Sequence, residues 1–312
     1  METAPLISAD DVRAAADDIR DHIRRTPVLR LEPGASSLDV PIWLKLEQLQ
    51  ITGTFKLRNA FALLLGADVP DAGVVAVSGG NFGLARAYAA GRLGYPITVF
   101  VPESAPPVKV DGIRAFGADV EVVGGPMRDL FEASRQRIAE TGALSAHPFD
   151  QPEGVAGAGT CGMEFDEQCD LDTVLVAVGG GGLISGIATW FQDRAKIVAV
   201  ETEGTPTLHG SLAAGERTPI EPSGIGTSAL GAPLLGEIAW DVAQRWIDDS
   251  VLVSDAAVQT AQRHLWSTAR IVAEAGGAAA FAALQAGVYV PAPGERIGVV
   301  VCGGNIDPGA VA

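Results

Sequence analysis

The stretch Thr173-Val-Leu-Val-Ala-Val-Gly-Gly-Gly-Gly-Leu-Ile-Ser-Gly186 reads as a strand, a glycine turn and the head of a helix. Its apolar run, 173–178, has the length and β-branched content of a strand. One or two glycines suffice for a tight strand–helix turn, so Gly179, Gly180, Gly181 and Gly182 exceed what the turn needs. Consecutive glycines let backbone N–H groups converge on an oxyanion, and the helix N-terminus that follows adds a favourable field for a phosphate.

The same alternation recurs on both sides of this unit. Short β-branched runs at 42–46, 74–77, 97–101, 120–123, 196–200 and 296–301 interleave with helical stretches near 81–92, 107–116, 127–141, 154–169, 183–193 and 255–287. Strands separated by helices imply right-handed crossovers and parallel pairing. The fold class predicted is α/β, with two open, mainly parallel sheets flanked by helices. The series near 74–123 and 173–301 are joined by a Pro/Gly-rich stretch, 147–162. They predict a large cofactor-binding domain (1–50 and 145–312) and a small domain (51–144), with the active site in the cleft between them. Residues 204–236, dense in Gly, Pro, Thr and Ser, resemble active-site loops more than a linker. At the start, Ser8-Ala-Asp-Asp11 has capping-box-like spacing and opens a helix through Val12, Ala16, Ile19 and Ile23, expected to end at Thr26-Pro27.

Thirty-eight acidic against 22 basic residues give a net charge of −16, which argues against nucleic acid or an anionic membrane as the main partner. A small anionic ligand then needs its own local donors. The balance of 47% hydrophobic and 19% charged residues suits a soluble globular enzyme. Cys161, Cys169 and Cys302 are too few and too irregularly spaced for a disulfide framework or a zinc site. No signal-peptide pattern and no apolar run of roughly 18 residues is visible, so a cytoplasmic location is expected.

Lys56 lies in Ile51-Thr-Gly-Thr-Phe-Lys-Leu-Arg-Asn-Ala60, directly after Phe55, past a glycine turn and at the head of an apolar helix. That is a poor place for a solvated charge. Burial penalises the ammonium, and a neutral amine can attack a carbonyl to form a Schiff base. Read alone, a solubilising surface lysine is the commoner case. Ser78-Gly-Gly-Asn-Phe-Gly83 is a second strand-to-helix turn, able to hold a carboxylate through Ser78 and its backbone amides, with the Asn81 amide beside it. Cys302-Gly-Gly-Asn305 closes the last strand. Alone, Cys302 is an ordinary buried cysteine, though it can also meet a cofactor ring edge. Two anion-cradling turns and one candidate Schiff-base lysine together imply a phosphorylated aldehyde cofactor and a carboxylate substrate. A dinucleotide fingerprint needs glycines at the first, third and sixth positions of a window. No window starting at Gly179 through Gly182 supplies all three, so the nicotinamide reading is a minor alternative, although Glu201 stands where a ribose-binding acid would.

Arg25-Thr-Pro-Val28, Leu44-Lys-Leu-Glu47, Thr52-Gly-Thr-Phe-Lys-Leu-Arg58, Ser78-Gly-Gly-Asn81, Gly157-Ala-Gly-Thr160, Gly179–Gly182 and Cys302-Gly-Gly-Asn305, in that order, resemble the fold-type II pyridoxal-phosphate enzymes. Within them, the chain is similar to the serine/threonine dehydratase and serine racemase group along almost its whole length. The resemblance implies pyridoxal 5'-phosphate as cofactor. It makes Lys56 the Schiff-base lysine with Phe55 beside it, and it gives Gly179, Gly180, Gly181, Gly182 and Leu183 the phosphate. Asn81 would contact the phenolic oxygen, Cys302 the pyridine nitrogen, and Ser78, Gly79, Gly80 and Asn81 the substrate carboxylate. A neutral thiol opposite the pyridine makes a weaker electron sink than a carboxylate, which is adequate for β-elimination. The implied activity is a dehydratase (ammonia-lyase) on L-threonine, L-serine or a related hydroxy amino acid. Lys56 would remove the Cα proton, the β-hydroxyl would leave with the cofactor phosphate as proton donor, and a 2-oxo acid and ammonia would result. A homodimer is implied as well.

The chain departs from the pattern in places. Gly79 stands where racemases of the group carry a serine base, which argues against efficient racemisation. Phe82 replaces a frequent histidine. Some relatives bind a divalent cation through a glutamate and an aspartate about six residues later. Glu201 matches the glutamate and is the one candidate cation ligand, but Thr207 takes the aspartate position, which puts the cation in doubt. No C-terminal regulatory domain is expected. Cysteine synthase and threonine synthase share the fold but match less well, and hydroxyaspartate dehydratases belong to the same group. The alternatives are an amino-acid racemase of the family and a non-catalytic amino-acid or cofactor sensor.

Overall fold

A computed structural model describes residues 5–34, 40–105 and 107–311. In chain order its strands are β1 (Val28–Leu31), β2 (Ile42–Leu46), β3 (Val74–Val77), β4 (Ile97–Pro102), β5 (Asp119–Val123), β6 (Leu144–Ala146), β7 (Thr173–Ala177), β8 (Lys196–Thr202), β9 (Asp249–Val253) and β10 (Ile297–Val301). The helices are α1 (Ala9–Ile19), α2 (Lys56–Gly66), α3 (Asn81–Leu93), α4 (Pro107–Ala115), α5 (Met127–Thr141), α6 (Pro152–Gln168), α7 (Gly182–Phe191), α8 (Thr207–Ala214), α9 (Thr227–Leu230), α10 (Glu237–Trp246), α11 (Asp255–Ala269) and α12 (Ala275–Gln285).

Six strands form one sheet in the order β1-β2-β10-β7-β8-β9, antiparallel at β1–β2 and parallel elsewhere. A second sheet, β5-β4-β3-β6, is parallel throughout. The central strands β7 and β10 are buried along their whole length, as their unbroken apolar runs require when helices cover both faces. The first sheet's core runs through Leu44, Val176, Val198, Phe281 and Val299, and the second's through Leu63, Ala85, Val99 and Ile113.

The local reading holds for most of the alternation and differs in four places. The first helix ends at Ile19 rather than at Thr26-Pro27. Asp17 and Asp18 sit in its last turn, where no basic residue offsets the negative end of the helix dipole. Strands β1, β6 and β9 are additional; they are short, three to five residues, and their patterns are too brief to stand out. The Pro/Gly-rich stretch that joins the two series is mostly the buried helix α6. Its glycines admit neighbours: a Cβ on Gly157 would lie 2.3 Å from Ala62 Cβ, and one on Gly159 2.7 Å from Gly186 O. Finally, the long helical stretch 255–287 is two helices, broken after Ala269, with Arg270 in the left-handed region at φ 57°. Beyond that break Glu274 meets Asn81.

Candidate active site

Lys56 opens α2 because the chain arrives there through a turn fixed by a distant segment. Gly53 has φ +76°, a conformation in which a side chain would be strained. Gly53–Phe55 is stitched to Cys302–Gly304: the Phe55 N–H donates to the Cys302 carbonyl at 3.0 Å, and the Gly304 N–H to the Gly53 carbonyl at 3.0 Å. Thr54 and Gly303 form an antiparallel bridge between them. The lysine turn and the cysteine turn are therefore one structural unit.

Two residues beyond Lys56, Arg58 anchors the helix from below. It is fully buried and donates to Glu47 through Nε and Nη2, to Glu164 through Nη1 and Nη2, all at 2.8 Å, and to Thr160 Oγ1 at 3.1 Å. Lys45, also buried, donates to Glu164, Gln168 and the Thr26 carbonyl, each at 2.8 Å. Burial works against the Arg58 charge, but Glu47 and Glu164 outweigh it and hold its pKa well above the ordinary value. Four of the seven sequence motifs thus meet in this ion network, which fixes the floor under Lys56.

Lys56 itself is partly buried. Its Nζ donates to the Pro148 carbonyl at 2.9 Å and lies 5.0 Å from the centroid of the Phe55 ring. Its pKa is pulled down from 10.5 to about 8, chiefly by desolvation and further by Arg86, against opposing contributions from Cys302 and Glu274. An amine with that property carries a substantial neutral fraction near physiological pH.

The glycine loop precedes α7, whose N-cap Gly181 has φ +93°. A Cβ on Gly180 would lie 2.3 Å from the Phe149 ring, and one on Gly181 2.3 Å from Ala239 Cβ, so these positions have no room for side chains. Among the described residues no hydrogen bond takes up the backbone N–H groups of Gly179, Gly180, Gly181, Gly182 or Leu183. Buried amide donors are rarely left unpaired, and a row of them at a helix N-terminus suits a phosphate.

The Ser78 turn repeats this arrangement. Ser78 Oγ accepts the Gly80 N–H at 3.1 Å, while the N–H groups of Gly79, Asn81, Phe82 and Gly83 have no partner among the described residues. A Cβ on Gly79 would lie 2.7 Å from Ala105 Cβ. Asn81 is held at both ends of its amide: Nδ2 donates to Glu274 Oε1 at 2.6 Å, and Oδ1 accepts from Asn305 Nδ2 at 2.9 Å. The Cys302 thiol donates to the Gly276 carbonyl at 3.3 Å. Burial first, then Glu274, pushes its pKa up, so it stays a neutral thiol.

Glu274 was not singled out by sequence, because it sits inside an Ala-rich helical run with no motif around it. It is 7% exposed, and desolvation raises its pKa against the Asn81 hydrogen bond and the charges of Lys109 and Lys56. Glu201 is fully buried. It accepts the Leu208 and His209 N–H groups at 2.8 and 2.7 Å, and Thr207 Oγ1 lies 3.1 Å from it. Its carboxylate caps α8. Among the described residues no cluster of three or more His, Cys, Asp or Glu side chains could hold a metal ion.

The N-termini of α2, α3, α7 and α12 carry these groups, and none is closed by an N-cap side chain, a property they share with α5, α6, α8, α9 and α10. Unpaired amides on α3 and α7, an amine of lowered pKa and a neutral thiol together fit a phosphorylated aldehyde of the pyridoxal type.

A family model described as pyridoxal-phosphate dependent enzyme matches residues 19–303. The chain is 34% identical over 302 residues to an L-threonine ammonia-lyase of Geobacter sulfurreducens, covering 95% of this chain and 75% of that one. It is 33% identical over 318 residues to a phenylserine dehydratase of Ralstonia pickettii, covering 100% and 97%. Among solved structures, maize serine racemase superposes with a TM-score of 0.91 at 30% identity, covering 97% and 95%.

Proposed function

The chain belongs to the pyridoxal-phosphate-dependent enzyme family, and from that membership we propose that it is a carbon–nitrogen lyase. The reaction is dehydration of L-threonine, L-serine or a related hydroxy amino acid to a 2-oxo acid and ammonia. The observation that carries this reading is the stitching of the Lys56 turn to the Cys302 turn through Phe55 N–H to the Cys302 carbonyl and Gly304 N–H to the Gly53 carbonyl, which sets a desolvated amine near a neutral thiol.

Pyridoxal phosphate, when bound, supplies the electron sink that makes the Cα proton acidic. Lys56 is read as its covalent anchor and as the group that takes that proton. The unpaired amides of Gly179 to Leu183 would hold the phosphate, and Phe55 would pack beside Lys56. The amides of Gly79 and Asn81, with Ser78 and Gly80, would hold the substrate carboxylate. Asn81, fixed at both ends of its amide, would face the phenolic oxygen with its remaining N–H. Cys302 would meet the pyridine nitrogen. Its thiol does not hold a positive charge there as a carboxylate would, and this favours early departure of a β-leaving group over transamination.

Gly79 carries no side chain to move a proton on the second face, and Ala105 occupies the space beside it. Both disfavour the racemase reading. Residues 51–144 are read as the small domain and 1–50 with 145–312 as the large one. The cytoplasm is the proposed location, where three free cysteines stay reduced. No helix of the described residues is long and apolar enough to cross a membrane. A homodimer is the proposed assembly, testable by light scattering.

The deciding assay measures 2-oxo acid release from L-threonine, L-serine, 3-hydroxyaspartate and phenylserine, with Cα epimerisation read on the same samples. Product from at least one supports the lyase. Cofactor uptake with no product from any supports a sensor, and epimerisation without product supports a racemase.

A further inference from the structure

Arg86, on α3, is fully buried and makes no ion pair among the described residues. Its Nη1 donates to the carbonyls of Asn59 and Ala60 at 3.2 and 2.8 Å, and its Nη2 to Asn59 Oδ1 at 2.7 Å. All three acceptors lie in the first turns of α2. Its Nε has no partner, and the Phe82 ring centroid is 5.0 Å from the guanidinium carbon. A buried guanidinium ordinarily faces a carboxylate, because neutral acceptors return only part of the lost hydration. Arg58, in the same helix α2, has two such partners; Arg86 has none. Desolvation lowers its pKa only to about 9, so it remains a cation at neutral pH. An aliphatic residue would fill the contact between α2 and α3 without that cost.

We propose that Arg86 is a positioning residue for Lys56: it ties α3, which begins at Asn81, to the first turns of α2, which begins at Lys56, and sets an unpaired positive charge against them. Its value to catalysis rests on Lys56 being the cofactor anchor; the electrostatic effect does not. The charged and titratable groups that act on Lys56 or feel it are Arg86 from α3, Cys302 from the end of β10, Glu274 from the start of α12 and His147 from the segment before α6. Glu274 favours the ammonium, whereas Arg86 opposes it. Geometry and charge therefore act through one side chain.

The test uses the full chain freed of cofactor, so that it does not depend on turnover. Reductive 13C-dimethylation labels Lys45, Lys56, Lys109 and Lys196, and NMR follows each through a pH titration; Lys56→Arg identifies the Lys56 signal. Asn59→Asp places a carboxylate at the Nη2 contact and neutralises Arg86 without removing it. Arg86→Met removes the charge. The Lys56 midpoint is expected to rise by about one pH unit in Asn59→Asp and Arg86→Met. An unmoved midpoint in a cooperatively unfolding Asn59→Asp chain overturns the proposal, whether or not Arg86→Met folds. Absence of 2-oxo acid from the wild type, with these midpoints as expected, would count against the lyase reading alone.

Discussion

The Lys56 ammonium donates to the Pro148 carbonyl at 2.9 Å, and the next residue, Phe149, lies where a Cβ on Gly180 would have to go. One short segment thus touches the Lys56 amine and the glycine loop. Asp150 extends it by accepting the Glu237 and Ile238 N–H groups at 2.9 and 3.0 Å, which caps α10. Amine, glycine loop and supporting helix are held in one register.

Cofactor uptake by the cofactor-free chain should accelerate with pH and level off above about 8, because the Lys56 pKa is lowered to that value and only the neutral amine attacks. Stopped-flow absorbance of the bound cofactor measures this. Lys56→Ala should show no such phase and no 2-oxo acid release.

Gly180→Ala should weaken cofactor binding at least about tenfold and lower stability by about 1–3 kcal/mol, the usual penalty for overpacking, since its Cβ would meet the Phe149 ring at 2.3 Å. Gly210→Ala, on α8 with nothing within 4 Å of the new Cβ, is the control. It should bind normally and gain up to about 1 kcal/mol. Fluorescence titration with cofactor and urea unfolding separate the two outcomes.

Gly79→Ser alone should not confer racemisation, because its Cβ would come within 2.7 Å of Ala105 Cβ and displace the turn. Dehydration should fall at the same time. Gly79→Ser combined with Ala105→Gly makes room, and chiral chromatography of recovered substrate should then show exchange at Cα.

Glu201 has its pKa raised from 4.5 to about 7, mainly by desolvation and against its hydrogen bonds to α8. The folded state therefore holds a proton that the unfolded state releases between those values. Stability should fall as pH rises through that window, by a contribution on the order of 3 kcal/mol. Urea unfolding at pH 5 and pH 8 should show this fall in the wild type and a smaller one in Glu201→Gln.

Glu47→Gln should cost about 3–5 kcal/mol, since removing one partner leaves the fully buried Arg58 charge undercompensated. Thermal unfolding of the cofactor-free chain reads this without any contribution from bound ligand.

Much of the candidate site was legible because its signals are local. A glycine run after an apolar strand states its own conformation, and Lys56 announced itself by its position between a glycine turn and an apolar helix. Glu274 was invisible because its place depends on a helix break at Arg270 inside an Ala-rich run that looks continuous. Arg86 reads as an ordinary helical arginine until α2 closes over it. The Pro148 carbonyl is a backbone group, and no residue pattern advertises which donor it will meet.

The amino-acid sequence by itself determined the alternation of strand and helix, the glycine turns and the order of the motifs, because periodicity and backbone freedom act over a few residues. Only the tertiary structure decided which of those motifs leave backbone amides unpaired and which form the buried network of Lys45, Glu47, Arg58 and Glu164. It also decided that Lys56 is an amine of lowered pKa and that Glu201 caps a helix. Those properties come from desolvation and from charges brought together across hundreds of residues of chain, and they exist only once the two sheets have packed.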